Sequence, residues 1–273
     1  MTGTRGKTPA GEGALDAARG RADARPELLR RLPTAPAAYL EGACVNPALD
    51  EEGAALLVRN PHATQGQLLR IGRSLRWTRV DEVKRGLVRH PRVPVPLARR
   101  FLPHLPWLDL AEVAADTRLT PLVRRHAEGA LKMRLLEMAE GEIVALARRA
   151  SAGVVSELAR SRSARVLSAL LGNPRVRERD VVGIVTGEEA PAETLRRIAH
   201  HPDWGVRRAV RVALLRNPRT PVPEALRLVA DLAASDLERV VRDEEVPKIV
   251  QIGAGRRLAA AAAMTLTVRR AGS

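Results

Sequence analysis

Every asparagine in this 273-residue chain is followed by proline. Asn46, Asn60, Asn173 and Asn217 precede Pro47, Pro61, Pro174 and Pro218, and His90 and His201 precede Pro91 and Pro202. The residue before proline is pushed out of the helical region, and a short polar side chain there can hydrogen-bond the turn. Each pair is therefore expected to end a helix and act as a structural joint. Shifting the chain by 127 residues lays Asn46-Pro47 on Asn173-Pro174 and His90-Pro91 on Asn217-Pro218 without a gap. In that register residues 40–131 and 167–258 share 28 identities, among them Trp77 with Trp204, Asp109 with Asp236 and Asp116 with Asp243. Unrelated segments of such composition would share about one position in ten. A tandem internal duplication is the expectation.

The pattern between joints is helical. In VRRAVRVALLRN, Val206, Ala209, Val210, Ala213 and Leu214 recur at three and four, leaving Arg207, Arg208 and Arg211 on the opposite face. Thr220 and Pro221 open the next segment as cap and first-turn proline. Alternating strand patterns with Asn-Gly or Asp-Gly turns are absent from the sequence. Joints 44 residues apart, Asn46 to His90 and Asn173 to Asn217, suggest a repeat of about 40–47 residues, the period of helical-pair solenoids. The expected fold class is all-α, an α-solenoid of helical pairs. Its expected divisions are a mobile basic N-terminal tail (1–35), a first helical-repeat half (36–131), a connecting repeat (132–166), a second half (167–262) and a C-terminal tail (263–273).

Composition agrees with this and narrows the chemistry. The chain is 45% hydrophobic but has only three Trp, one Tyr and one Phe, so its core must come from stacked Leu, Val, Ala and Ile. A single cysteine, Cys44, permits neither an internal disulfide nor a cysteine zinc site, and points to a reducing, cytoplasmic setting. No apolar segment has the length of a signal or membrane span, so no membrane association is expected. The net charge of +15 invites a phosphate-binding reading. Its even distribution, +4 in residues 39–131 and +3 in 166–258, describes a whole surface rather than a site.

The segments RNPRTPVPEALRLV (216–229), RHPRVPVPLARRFL (89–102), LLGNPRV (170–176) and VRNPHAT (58–64) resemble the HEAT and armadillo class of α-solenoids. More closely, they resemble the bacterial leucine-rich-repeat-variant type, whose repeats carry Asn-Pro at a helix boundary. The resemblance covers about residues 36–262. It implies a binding scaffold and no particular partner. The iron–sulfur cysteine cluster found with some variant-repeat proteins has no counterpart here. Some bacterial HEAT-like solenoids are DNA glycosylases using Trp, Asp and Arg, for which Trp107, Asp109 and Arg207 or Arg211 would be the candidates.

The individual residues favour structure over catalysis. Gly6-Lys7-Thr8 lacks the glycine and the preceding strand of a phosphate-binding loop. The histidines have no metal-binding spacing, and no serine nucleophile motif occurs. Asp109 and Asp236 are expected to cap the helices that follow them. Trp77 and Trp204 are expected to staple equivalent helix entries. Lys84, Arg89, Arg207, Arg208, Arg211, Arg216 and Trp107 form the candidate binding surface, with no catalytic, metal or cofactor residue among them. The expected function is a non-catalytic scaffold for another macromolecule, a protein first, with nucleic acid as the alternative. The oligomeric state stays open.

Overall fold

Residues 10–271 of the computed structural model are described, and they form helices and turns with no strand among them. Gly6, Lys7 and Thr8 lie outside the described residues. The chain divides into two compact units, Met1–Leu136 and Glu137–Ser273. The first holds α1 (Ala10–Ala22), α2 (Arg25–Arg31), α3 (Ala37–Ala43), α4 (Glu51–Arg59), α5 (Gln65–Arg73), α6 (Leu75–Thr78), α7 (Asp81–Arg89), α8 (Val95–Phe101), α9 (Trp107–Ala115) and α10 (Pro121–Arg134). The second holds α11 (Glu140–Ala147), α12 (Ala152–Leu158), α13 (Ala164–Leu171), α14 (Glu178–Thr186), α15 (Ala192–Ala199), α16 (Arg208–Arg216), α17 (Val222–Ala230), α18 (Ala234–Arg242) and α19 (Lys248–Ala271). Both ends of α2, α4, α7 and α9 recur in α12, α14, α16 and α18 at an offset of 127 residues. The first residues of α3, α5, α8 and α10 recur likewise in α13, α15, α17 and α19.

One turn builds the joints. The carbonyls of Asn46, Asn60, His90 and Asp116 accept from the backbone N–H three residues on, and so do those of Asn173, Gly187, Asn217 and Asp243. The third residue is always buried: Leu49, Ala63, Val93 and Leu119 in the first unit, Val176, Ala190, Thr220 and Val246 in the second. Where the first residue has a side chain, that side chain accepts from the N–H two residues on, as Asn60 Oδ1 does from His62 (2.7 Å) and Asp116 Oδ1 from Arg118 (3.0 Å). Proline reinforces the extended backbone at the joint but is not required for it. Asp116 (φ −78, ψ 105) precedes Thr117 and matches Asn217 (φ −75, ψ 116), which precedes Pro218.

The free end of each Asn reaches back to the previous helix of its row. Asn46 Nδ2 donates to the carbonyls of Gly20 (2.9 Å) and Asp23 (2.8 Å), and Asn60 Nδ2 to Leu32 (2.7 Å) and Ala35 (3.0 Å). In the second unit Asn173 Nδ2 donates to Ala147 (2.8 Å) and Ala150 (3.1 Å), and Asn217 Nδ2 to Val185. His90 replaces the amide in the first unit: its Nδ1 accepts from Arg92 N–H (3.0 Å), so the proton sits on Nε2, which donates to the Asn60 carbonyl (3.1 Å). Arginines add matching staples, Arg100 to Gly72 O (3.4 Å) and Arg227 to Ala199 O (2.6 Å), again 127 residues apart.

These bonds span 23 to 32 residues, and alternate helices pack together: α2 on α4, α4 on α7, α11 on α13, α13 on α15 and α14 on α16. The stacking step is therefore shorter than the 44 residues between X-Pro joints. The interval from Asn46 to His90 runs from a joint of one row to a joint of the other. The core between rows is aliphatic, with Tyr39, Trp77 and Phe101 as its buried aromatics.

Three domain expectations are corrected. Residues 10–35 are not a mobile tail, because α1 packs on α3 and Leu28 and Leu32 of the α2 region are fully buried. Close approach explains α1: a Cβ on Gly20 would strike the Tyr39 carbonyl, and one on Gly42 the Ala17 carbonyl. Residues 132–166 are not a separate connector, since the division falls at Leu136 and α11 and α12 open the second unit. At the other end α19 continues through 263–271, where a tail was expected.

Asn60→Ala removes two donors to buried carbonyls and the turn acceptor, and should lower stability by about 2–3 kcal/mol in urea denaturation. His90 gives a pH signature. Burial pushes its pKa below the ordinary 6.5, so its contribution is complete above pH 6.5 and is lost as pH falls from there toward the folded-state value. The urea midpoint should fall between about pH 7.5 and about pH 5, and His90→Asn, the residue at the matching joint, should fall less.

Candidate binding face

The arginines singled out in the sequence lie on α16 and its entry, and carboxylates of neighbouring helices hold most of them. Arg207 Nη1 meets Glu178 Oε2 at 3.0 Å, Arg208 Nη2 meets Asp236 Oδ1 at 2.9 Å, and Arg216 meets Asp243 (2.8 Å) and Glu245 (2.9 Å). Arg211 Nε donates to the Gly205 carbonyl at 2.8 Å. In the first unit Lys84 pairs with Asp81 (2.7 Å) on its own helix, and Arg89 with Asp109 (2.5 Å) and Glu112. The candidate cations are thus cross-links between successive helices more than an unopposed positive surface.

Asp109 and Asp236 do not cap their helices, which corrects the sequence reading. The helix α9 begins at Trp107 after Pro106, and α18 at Ala234 after Ala233, so both acids stand inside the first turn. There they still face the positive helix end, but their side chains take arginines. Asp109, 8% exposed, accepts from Arg85 Nε (2.8 Å) and Arg89 Nη2 (2.5 Å). Trp107 is half-buried as the first residue of α9. Trp77 is buried, with Arg76 over its ring at 4.2 Å; Trp204 is half-buried, with Arg207 over its ring at 4.7 Å.

Three of the four second-unit arginines meet at one groove. Arg208, Arg211 and Arg216 line a cleft of about 830 Å³ with α14 on one side and α18 on the other. Glu178, Asp236, Arg239 and Asp243 complete its charged lining, so four cations face three acids. Between them the floor is apolar: Val182, Val206, Ala209, Val212, Val240 and Val246. Val206 is 63% exposed and Val212 39%.

The sequence does not mark this floor, because valine and alanine are ordinary residues on an amphipathic helix. At the same offset, Arg79, Glu82 and Arg85 stand where Val206, Ala209 and Val212 stand in the second unit. In the first unit this face is closed by ion pairs: Arg59 to Glu82 (3.0 Å) joins α4 to α7, and Arg85 and Arg89 join α7 to Asp109 on α9. The clefts left there, about 440 and 320 Å³, are lined by Arg59, Arg85, Arg89 and Arg118. One face of the repeat is zipped by charge in the first unit and opened as an apolar floor in the second.

No protein-family model, curated protein or solved structure matches the chain. Among the described residues no helix is long and apolar enough to cross a membrane, and no cluster of three or more His, Cys, Asp or Glu is placed to hold a metal ion.

The two first-turn acids should behave differently. Asp109→Asn leaves two guanidinium groups on a largely buried partner and should cost about 3 kcal/mol in denaturant unfolding. Asp236, whose side chain is 31% exposed, should cost under about 1 kcal/mol on the same change.

Proposed function

We propose that the chain is a non-catalytic helical-repeat docking protein of the HEAT-like, leucine-rich-repeat-variant kind, two copies of one α-solenoid unit. Its second copy binds a segment of another protein along α14, α16 and α18. The observation that carries this reading is the exchange of Arg79, Glu82 and Arg85 for Val206, Ala209 and Val212 at matched positions. An ion-paired face holds a stack together without leaving apolar surface. Opening it to valine exposes area that gains from being covered, on the order of 1 kcal/mol per valine. Stacked repeats bury a thin core and leave long faces for such contacts.

The carboxylate partners of Arg208 and Arg216 oppose a nucleic-acid clamp at this groove, since a phosphate backbone would have to compete with them. The two arginines laid on Asp109 likewise support a structural role for that acid rather than catalysis. A cytoplasmic setting fits the lone Cys44, a thiol whose pKa is pushed up to about 12 by burial and the nearby Glu41, which makes it a poor nucleophile.

Selection of random peptides displayed on phage against the full chain tests the groove. Enriched sequences should carry apolar residues at helical spacing, and their affinity should fall at least about tenfold in Val206→Arg/Val212→Arg, which restores the first-unit residue types. Peptides binding wild type and variant equally, or duplex DNA retained at about 200 mM salt and lost in the variant, would overturn the reading.

A further inference from the structure

A second divergence between the units lies on the other row of helices, away from the docking groove. In the first unit α1 and α3 approach closely through Gly20 and Gly42. The matched residues are Ala147 and Ala169, and α11 has 8 residues where α1 has 13. Across α11, α13 and α15 an open trench of about 720 Å³ remains, with Arg148, Arg165 and Arg197 in its lining.

The arrangement of charge on this face changes with its shape. In the first unit Arg70 is neutralised across the helices by Glu41 at 2.8 Å. The matched pair in the second unit is Arg197 and Ser168, so the guanidinium keeps its place and exchanges the cross-helix carboxylate for a hydroxyl, Arg197 Nη1 donating to Ser168 Oγ at 2.8 Å, with its nearest acid now Glu193 of its own helix, where the first unit has Gly66. A second exchange adds a cation: Ala38 becomes Arg165. Glu193, 3.6 Å from Arg197 Nη2, is the one acid of the lining, and Glu140, outside it, holds Arg165 at 3.0 Å. Among the described residues the Arg148 side chain has no hydrogen-bond or ion-pair partner.

We infer that this trench is an anion site for a phosphate group, bound by Arg148, Arg165 and Arg197 with Ser168 as a fourth donor. Arginines of α13 and α15 and the one just after α11 line one space, and planar N–H forks match phosphate oxygens. The Ser168 oxygen already accepts from Arg197, which leaves its own proton to donate to an incoming oxygen. The ligand class is a small phosphate, either inorganic diphosphate or a phosphomonoester.

Isothermal titration of the full chain with sodium pyrophosphate and, separately, with AMP tests the site and separates the two sources. Saturable binding of either at about 50 mM salt is expected, weakened at least about tenfold by Arg197→Gln, Arg148→Gln or Arg165→Ala, the last restoring the first-unit residue. Arg73→Gln, an exposed arginine of the first unit, should leave it unchanged. Circular dichroism and unchanged unfolding midpoints identify variants that keep the fold; a failing Arg→Gln variant is replaced by Ser168→Glu, which restores the first-unit acid and should also abolish binding. Absence of saturable heat up to about 10 mM of either ligand overturns the site. So does equal loss in Arg73→Gln, which would mark diffuse surface charge, or binding of duplex DNA alone. Because the docking groove shares no residue with the trench, peptide binding there is unaffected by either result.

Discussion

The structure depends on a side chain that is bonded at both ends. At Asn46, Asn60 and Asn173 the amide oxygen holds the local turn while the amide nitrogen donates to two carbonyls at the end of an earlier helix. Those carbonyls have no intrahelical partner, since the last turn of a helix leaves its acceptors orphaned. A helix end buried against its neighbour would otherwise pay for that burial. The same side chain that stops one helix therefore satisfies the end of another and fixes the distance between them. Asparagine suits the task because it carries an acceptor and two donors on a short stem, and histidine serves at position 90 because its two ring nitrogens divide the roles. Aspartate can do only half of it. Asp116 and Asp243, at the last joint of each unit, hold their turns and take arginine rather than a carbonyl.

This explains which parts of the fold could be read from sequence. Asn-Pro showed where helices end, because the constraint on the residue before proline is local. The stacking step was not legible from it, because an X-Pro pair does not say which row its helix belongs to. Gly187, Asp116 and Asp243 form the same turn with neither Asn nor Pro, so a search by dipeptide passes over them. The helices α1 and α2 were missed for a related reason. A stretch rich in Gly, Ala and Arg has the composition of a tail, and the value of Gly20 and Gly42 exists only once α1 lies on α3.

The candidate site was legible in position and misread in character. Arg208, Arg211 and Arg216 do come together, but an acid near a helix start can be a cap or a first-turn residue, and the sequence alone did not place Pro106 and Ala233 as the positions before the helix. With Asp109 and Asp236 in the first turn, their carboxylates are available to arginines of α7 and α16, the previous helices of the row, and the cations become internal cross-links. The apolar floor was visible only in the difference between matched positions of the two units. Neither Val206 nor Val212 is unusual in an amphipathic helix; what marks them is that the matched positions are Arg79 and Arg85.

The two units thus separate what maintains a stack from what is free to vary. Joint turns and the buried residue three places after each joint recur at one offset, as do the backward bonds of Asn46 and Asn173 to an earlier helix end, and a change there disturbs two helices at once. Outward positions answer to weaker constraints, since an exposed ion pair contributes only about 0–1 kcal/mol and its loss is tolerated. Glu41 can become Ser168 and Glu82 can become Ala209 without altering the helix register, while each exchange changes what the face can bind. The +15 charge belongs to this variable layer. Much of it lies in ladders between neighbouring helices, and chemistry directed outward arises where the outward residues at matched positions of the two units differ.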